Sequence, residues 1–147
     1  MPKKLVGIIG GMGPQATADL FSKIIKLSPA QKDQEHIHII IDNFAQIPDR
    51  TGFLLGGGEN PLPYLLNSAK RIKNACAEIL AMPCNTAHYF LPQIQKEIGI
   101  PFISIIESAA AELKEKFPKA QNVVLLASLG TKKTQIYDKI LIENGFN

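Results

Sequence analysis

The feature that most constrains this chain is an alternation of short apolar runs with longer stretches whose apolar residues recur at helical spacing. Leu5 to Ile9 reads as a strand and stops at Gly10-Gly11-Met12-Gly13-Pro14. From Gln15 to Leu27, the residues Leu20, Ile24 and Leu27 fall at i, i+4 and i+7, one face of a helix. Ile37 to Asp42 follows as a strand, then a helix stripe of Leu65, Ala69, Ile72 and Cys76, then Glu78 to Met82 as a strand. A short helical turn at Asn85 to Leu91 leads into a helix that starts at Pro92, a favoured first position, and stops at Gly99. Phe102 to Ile105 and Val123 to Ala127 complete five strands, separated by a helix striped by Ile106, Ala110, Leu113 and Phe117. Thr131 to Asn144, carrying Ile136 and Ile140, is expected as one last helix. Strands that alternate with helices pair in parallel through right-handed crossovers. The expected fold class is therefore α/β, a parallel sheet flanked by helices in the Rossmann-like or flavodoxin-like manner. Phe44 to Pro63, rich in glycine and proline, reads as a long loop of the kind that forms lids and binding loops.

Composition narrows the function classes. With 46% hydrophobic and 20% charged residues the chain is globular rather than disordered. Its net charge is only +3, with no basic run longer than two, so no field for nucleic acid or a membrane surface is expected. The longest apolar runs are far short of the ~20 residues that a membrane span needs. Lys3-Lys4 before Leu5 to Ile9 faintly resembles a signal peptide, but the glycines at 10, 11 and 13 interrupt it. Two cysteines eight residues apart suit neither a disulfide framework nor a zinc site, and His36 and His38 have no ligand partner at metal spacing. A reduced, cytoplasmic protein without a metal is the expectation.

Ligands of open α/β sheets bind beyond the carboxyl ends of the strands. Two segments there are rich in chemistry. Gly11 to Ala16 fits G-x-G-x-x-A between a strand and a helix, with Asp42 ending the second strand. That pattern serves a dinucleotide, a small carboxylate held on helix amides, or a plain tight turn. Cys84 sits where a buried strand gives way to a helical turn, whose amides favour a thiolate. Asn85 and Thr86 place short polar groups beside it. Cys76, by contrast, completes a helix stripe and is expected in the core. His88 is read as a structural residue behind the turn in preference to a base for Cys84. Arg50 either clamps a carboxylate or pairs with Asp49.

Ile8-Ile9-Gly10-Gly11-Met12-Gly13-Pro14-Gln15-Ala16-Thr17, Asn43 with Pro48 and Arg50, and Met82-Pro83-Cys84-Asn85-Thr86-Ala87-His88 together resemble the aspartate/glutamate racemase family, in its aspartate racemase branch. Ile100-Pro101-Phe102 and Leu126-Ala127-Ser128-Leu129-Gly130-Thr131, leading to Tyr137 and Gly145, extend the likeness over essentially the whole chain. The resemblance implies a cofactor-independent amino-acid racemase with two similar α/β domains and an active site between them. Residues 1–104 would be the first domain, carrying Cys84, and 105–147 the start of the second. Such chemistry takes the Cα proton from one face and returns one to the other, and two thiols suit it. Cys84 matches the family's first cysteine as the catalytic residue. Met12, Arg50, Asn85, Thr86 and Thr131 match its substrate contacts, and Ser128 stands where threonine is usual.

The sequence stops at Asn147, before the second cysteine and the basic residue that family members bring from their second half. This implies either a truncated form of a longer racemase or a shortened relative without two-base chemistry. The expected partner is a small acidic amino acid, with no cofactor, and a homodimer is the assembly left open. Two readings compete: a catalytically silent domain that binds a small carboxylate or a dinucleotide, and a lyase or decarboxylase that protonates a carbanion with one thiol.

Overall fold

A computed structural model describes residues 4–147, so Lys3 of the basic pair lies outside the described residues. The α/β expectation holds. Strand β1 (Val6–Gly10) lies inside a four-stranded parallel sheet, paired with β2 (Ile39–Asn43) on one side and β3 (Ile79–Ala81) on the other. Strand β4 (Phe102–Ile103) pairs with β3, giving the order β2-β1-β3-β4. The register puts Ile8 between Ile41 and Ala81, in the middle of the sheet, where it is fully buried.

The connections follow from this order. Passing from β1 to β2 runs one way across the sheet, and passing from β2 to β3 and on to β4 runs the other. Right-handed crossovers therefore put helix α1 (Pro14–Leu27) on one face and helices α3 (Leu62–Asn74) and α4 (Leu91–Ile98) together on the opposite face. Leu65, Ser68, Ala69 and Ile72 form the buried stripe of α3, at helical spacing. Leu65, Ala69 and Ile72 join Ile9, Leu80, Phe90, Ile94 and Ile98 in the main core. Gly99 ends α4 in the left-handed conformation (φ 69°), as its position in the sequence predicts.

Four expectations need correction. Cys76 is exposed: α3 ends at Asn74, and Cys76 takes φ 67°, which turns it off the helical stripe, while Ala77 is buried instead. The long loop contains a short helix, α2 (Arg50–Leu54), started by Asp49, whose carboxylate accepts from the Gly52 N–H at 2.6 Å. The last helix is two: α6 (Leu129–Thr134) and α7 (Ile136–Glu143), parted by Gln135 at φ 52°. Val123 to Ala127 forms no strand among the described residues, and Val124 and Leu126 are 88% and 91% exposed. An apolar run becomes a strand only beside another strand's ladder. Here the neighbouring backbone bonds are Val123 N–H to Asn147 O at 3.1 Å and Asn147 N–H to Gln121 O at 2.7 Å. Helix α5 (Ile105–Lys116), capped by Ser104, precedes this segment and packs against α7.

Candidate functional site

A cleft of about 400 Å³ opens between the loops after β1 and β3, helix α2 and the segment that enters α6. Met12, Arg50, Cys84, Asn85, Thr86 and Thr131 all line it, so the six positions singled out from the sequence meet in one place. A hollow of similar size, about 440 Å³, lies between the end of α5 and the C-terminal residues, but no cysteine, histidine or arginine lines it.

Cys84 reaches the cleft because β3 ends three residues earlier. Its N–H donates to the Met82 carbonyl at 2.9 Å, a tight turn that feeds the 3-10 turn Thr86–Phe90. The cysteine is 9% exposed and lies among the cleft walls. His88 braces this turn from behind. Its Nδ1 lies 2.8 Å from the Cys84 carbonyl, and its Nε2 accepts from the Ile105 N–H at 3.3 Å. A backbone N–H only donates, so Nε2 is the unprotonated nitrogen and Nδ1 donates to the carbonyl. Burial pushes the His88 pKa below its ordinary 6.5, against a smaller upward pull from the Cys84 carbonyl. Both ring nitrogens are thus engaged by backbone, as the structural reading of His88 expects.

Arg50 opens α2 with its guanidinium turned back on its own loop. Nη1 donates to the carbonyls of Ile47 and Pro48 at 3.2 and 3.0 Å, and the buried Nε has no partner. The expected alternative, a pair with Asp49, is not what forms, because the Asp49 carboxylate caps α2. Among the described residues Arg50 is the only charged side chain lining the cleft, which makes the cleft receptive to an anion.

Three hydroxyls knit the far wall. Thr86 Oγ1 lies 2.9 Å from Thr131 Oγ1 and 3.1 Å from Ser128 Oγ, and the last two are 3.1 Å apart. The triangle ties the cysteine turn to the start of α6. Two further contributors were not among the expected site residues: Thr51, which carries no sequence signal, and Tyr137, which entered only as part of the family likeness. Thr51 follows Arg50 into the cleft, and Tyr137 donates from its hydroxyl to Asn85 Oδ1 at 2.5 Å. The apolar segment Leu125 to Ala127 forms the remaining wall.

The glycine-rich loop is explained by packing. Gly11 has φ 92°, and a Cβ there would lie 2.3 Å from the Phe44 carbonyl carbon, so the chain after β1 touches the chain after β2. Its N–H donates to Thr17 Oγ1 at 3.0 Å. Asp42, the acid a ribose would need, is held by Arg71 at 2.6 and 3.1 Å, with the Arg71 guanidinium 4.8 Å from the Phe44 ring centre. The dinucleotide reading loses its acid to Arg71, and the close approach to Phe44 accounts for Gly11.

Among the described residues, no group of three or more His, Cys, Asp or Glu gathers as metal ligands, and no helix is long and apolar enough to cross a membrane. The family model for Asp/Glu/hydantoin racemases matches residues 9–147. Over 96% of its length the chain is 28% identical to the broad specificity amino-acid racemase RacX of Bacillus subtilis (strain 168), covering 62% of that protein. Among solved structures it resembles the Picrophilus torridus aspartate racemase, at 33% identity and a TM-score of 0.85, over 98% of this chain and 61% of that one. It also resembles an aspartate racemase homologue from Pyrococcus horikoshii OT3, at 30% identity and a TM-score of 0.77, over 98% of this chain and 62% of that one. The chain thus spans about three-fifths of the length of each of these relatives. Their likeness along nearly all of its residues establishes that this chain belongs to the Asp/Glu/hydantoin racemase family.

Proposed function

We propose that the cleft binds an acidic amino acid and that the Cys84 thiol moves the proton at its Cα, as one of the acid–base groups of a cofactor-independent racemisation. The observation that carries this reading is the meeting of Cys84 with Arg50, the one charged side chain that lines the cleft among the described residues, in one pocket. A cation in a lining without a carboxylate favours substrates that carry an extra anion and disfavours lysine-like ones. That choice matters because the relatives differ: one is named an aspartate racemase and another has broad specificity.

In this reading the Cys84 thiolate takes the Cα proton, the Cα–H bond breaks, and its electron pair moves into the adjacent carboxylate as an enediolate. Hydrogen-bond donors aimed at that carboxylate stabilise the added charge, and proton delivery to the opposite face completes inversion. Asn85 offers N–H groups beside Cys84, Thr86 and Thr131 become donors to the substrate when the hydroxyl triangle with Ser128 opens, and Met12 lines the same cleft. Within these 147 residues one thiol faces the cleft, since Cys76 stands exposed beyond α3. Residues 105–147 are read as the opening of a second α/β unit.

Incubation of the 147-residue chain in deuterium oxide with each enantiomer of aspartate and glutamate tests the mechanism. One enantiomer should gain deuterium at Cα with its chirality retained, and Cys84→Ala should abolish the gain. Binding of an acidic amino acid without any exchange favours the silent binding domain instead. Inversion by the chain alone, lost in Cys84→Ala, would refute the one-face account.

A further inference from the structure

The helix break at Gln135 has a chemical result. A continuous helix from Leu129 would carry Tyr137 along the α6 axis. Because Gln135 adopts the left-handed conformation, α7 sets off in a new direction, and Tyr137 in its first turn lines the cleft beside Asn85, 52 residues away in sequence. The phenol donates to Asn85 Oδ1 at 2.5 Å, at the short end of the O–H···O range. A carboxamide carries its acceptor and its donor as two arms of one rigid plane, pointing in different directions. Fixing Oδ1 on the phenol therefore fixes where Nδ2 points, and among the described residues nothing accepts from it. Asn85 is itself exposed to the cleft and adjoins Cys84 in sequence.

We infer that Tyr137 is a positioning residue that orients the Asn85 amide so that its N–H groups, not its oxygen, face the ligand. Resting on the acidic amino-acid reading, this assigns Asn85 to a carboxylate of the substrate. With the amide reversed, Oδ1 would face the cleft and attract an ammonium. The pair thus sets the sign of the group this wall accepts, and it does so next to the thiol that moves the proton. Burial raises the Tyr137 pKa above its ordinary 10.0, so the hydroxyl keeps its proton at neutral pH and remains a donor.

Aspartate binding by titration calorimetry is the test, on Tyr137→Phe, Asn85→Ala and the double variant, with melting temperature recorded for each. Tyr137→Phe should weaken aspartate binding about tenfold, the scale of one hydrogen bond to a charged group, with little change in melting temperature. In the Asn85→Ala background the same substitution should have no further effect; a purely structural role would give equal losses in both backgrounds. Asn85→Asp provides a second route, because it keeps an acceptor for the phenol but shows the cleft only acceptors. It should bind aspartate more weakly than Asn85→Ala does. Aspartate binding by the wild-type chain that is untouched by Tyr137→Phe, or lost equally in both backgrounds, overturns the role of Tyr137 and leaves the acidic-ligand reading standing. No aspartate binding by the wild-type chain overturns both.

Discussion

Gly130→Ala probes how closely α6 is seated on the rest of the site. Gly130 is buried at the second position of α6, and a Cβ there would lie 2.9 Å from Thr51 Oγ1, 3.0 Å from Thr86 Cγ2 and 3.1 Å from Thr51 Cα. The first contact is relieved by turning the Thr51 side chain about its Cα–Cβ bond. The other two are not: Thr51 Cα is backbone of α2, and Thr86 is tied through its Oγ1 to Ser128 and Thr131. Overpacking of this kind costs about 1–3 kcal/mol, and replacing glycine in a helix returns up to ~1 kcal/mol. The net loss is about 1–2 kcal/mol, a fall of roughly 2–8 °C in melting temperature for a chain of this size. The strain is relieved by lifting α6, which lengthens the 2.9 Å link between Thr86 and Thr131 and loosens the wall opposite Arg50. Thermal melts with and without aspartate therefore should show a lower melting temperature and a smaller stabilisation by ligand. Removing the Thr51 hydroxyl in a Thr51→Ala/Gly130→Ala pair should recover part of the loss. A Gly130→Ala protein that melts at or above the wild-type temperature would show that α6 does not press on Thr51 and Thr86.

Two further outcomes follow from the same geometry. Exposed Cys76 should alkylate at a rate indifferent to ligand, while Cys84, largely buried in the cleft, should be slower and be protected by aspartate; peptide mapping by mass spectrometry separates the two, and protection of Cys76 instead would misplace the site. For His88, burial holds the folded pKa below 6.5, so the unfolded chain binds more protons in that interval. Stability is then fully present above about 6.5 and is lost as pH falls toward the folded value. Melting temperature should drop between pH 7.5 and 5, and His88→Gln should flatten that slope; an unchanged slope would assign the acid sensitivity to other groups.

The parts of the fold that were legible are those whose cause is local. Helices α1 and α3 announce themselves by apolar residues at helical spacing, and Gly99 stops α4 for a reason carried by glycine itself. The parts that were not legible have distant causes. Cys76 continues the i+4 arithmetic of α3, but periodicity does not say where the last turn ends, and Ala75 and Cys76 already leave the helix. Val123 to Ala127 has strand composition, yet strand formation needs a neighbour, which composition cannot supply. Gln135 breaks a helix without any glycine or proline to mark it, and α2 hides among glycines because a single Asp49 side chain starts it.

The site divides along the same line. Its six expected residues were legible through the family resemblance; five of them also lie on segments that follow strands β1, β2 and β3, whose ends gather in space, whereas Thr131 follows no strand. What those residues do to one another was not. The letters around Gly11 suit a nucleotide and a tight turn equally, and only the backbone of Phe44 and the Arg71–Asp42 pair separate the two. His88 lies at a spacing from Cys84 that a catalytic pair would also have. The Ile105 N–H decides its tautomer and so its role, and that donor is contributed from beyond β4. Arg50 and Asp49 are adjacent and opposite in charge, yet the helix cap claims the acid first and leaves the guanidinium on two carbonyls. In each case a group's availability for chemistry is set by which backbone atom reaches it first, and that is a property of the fold.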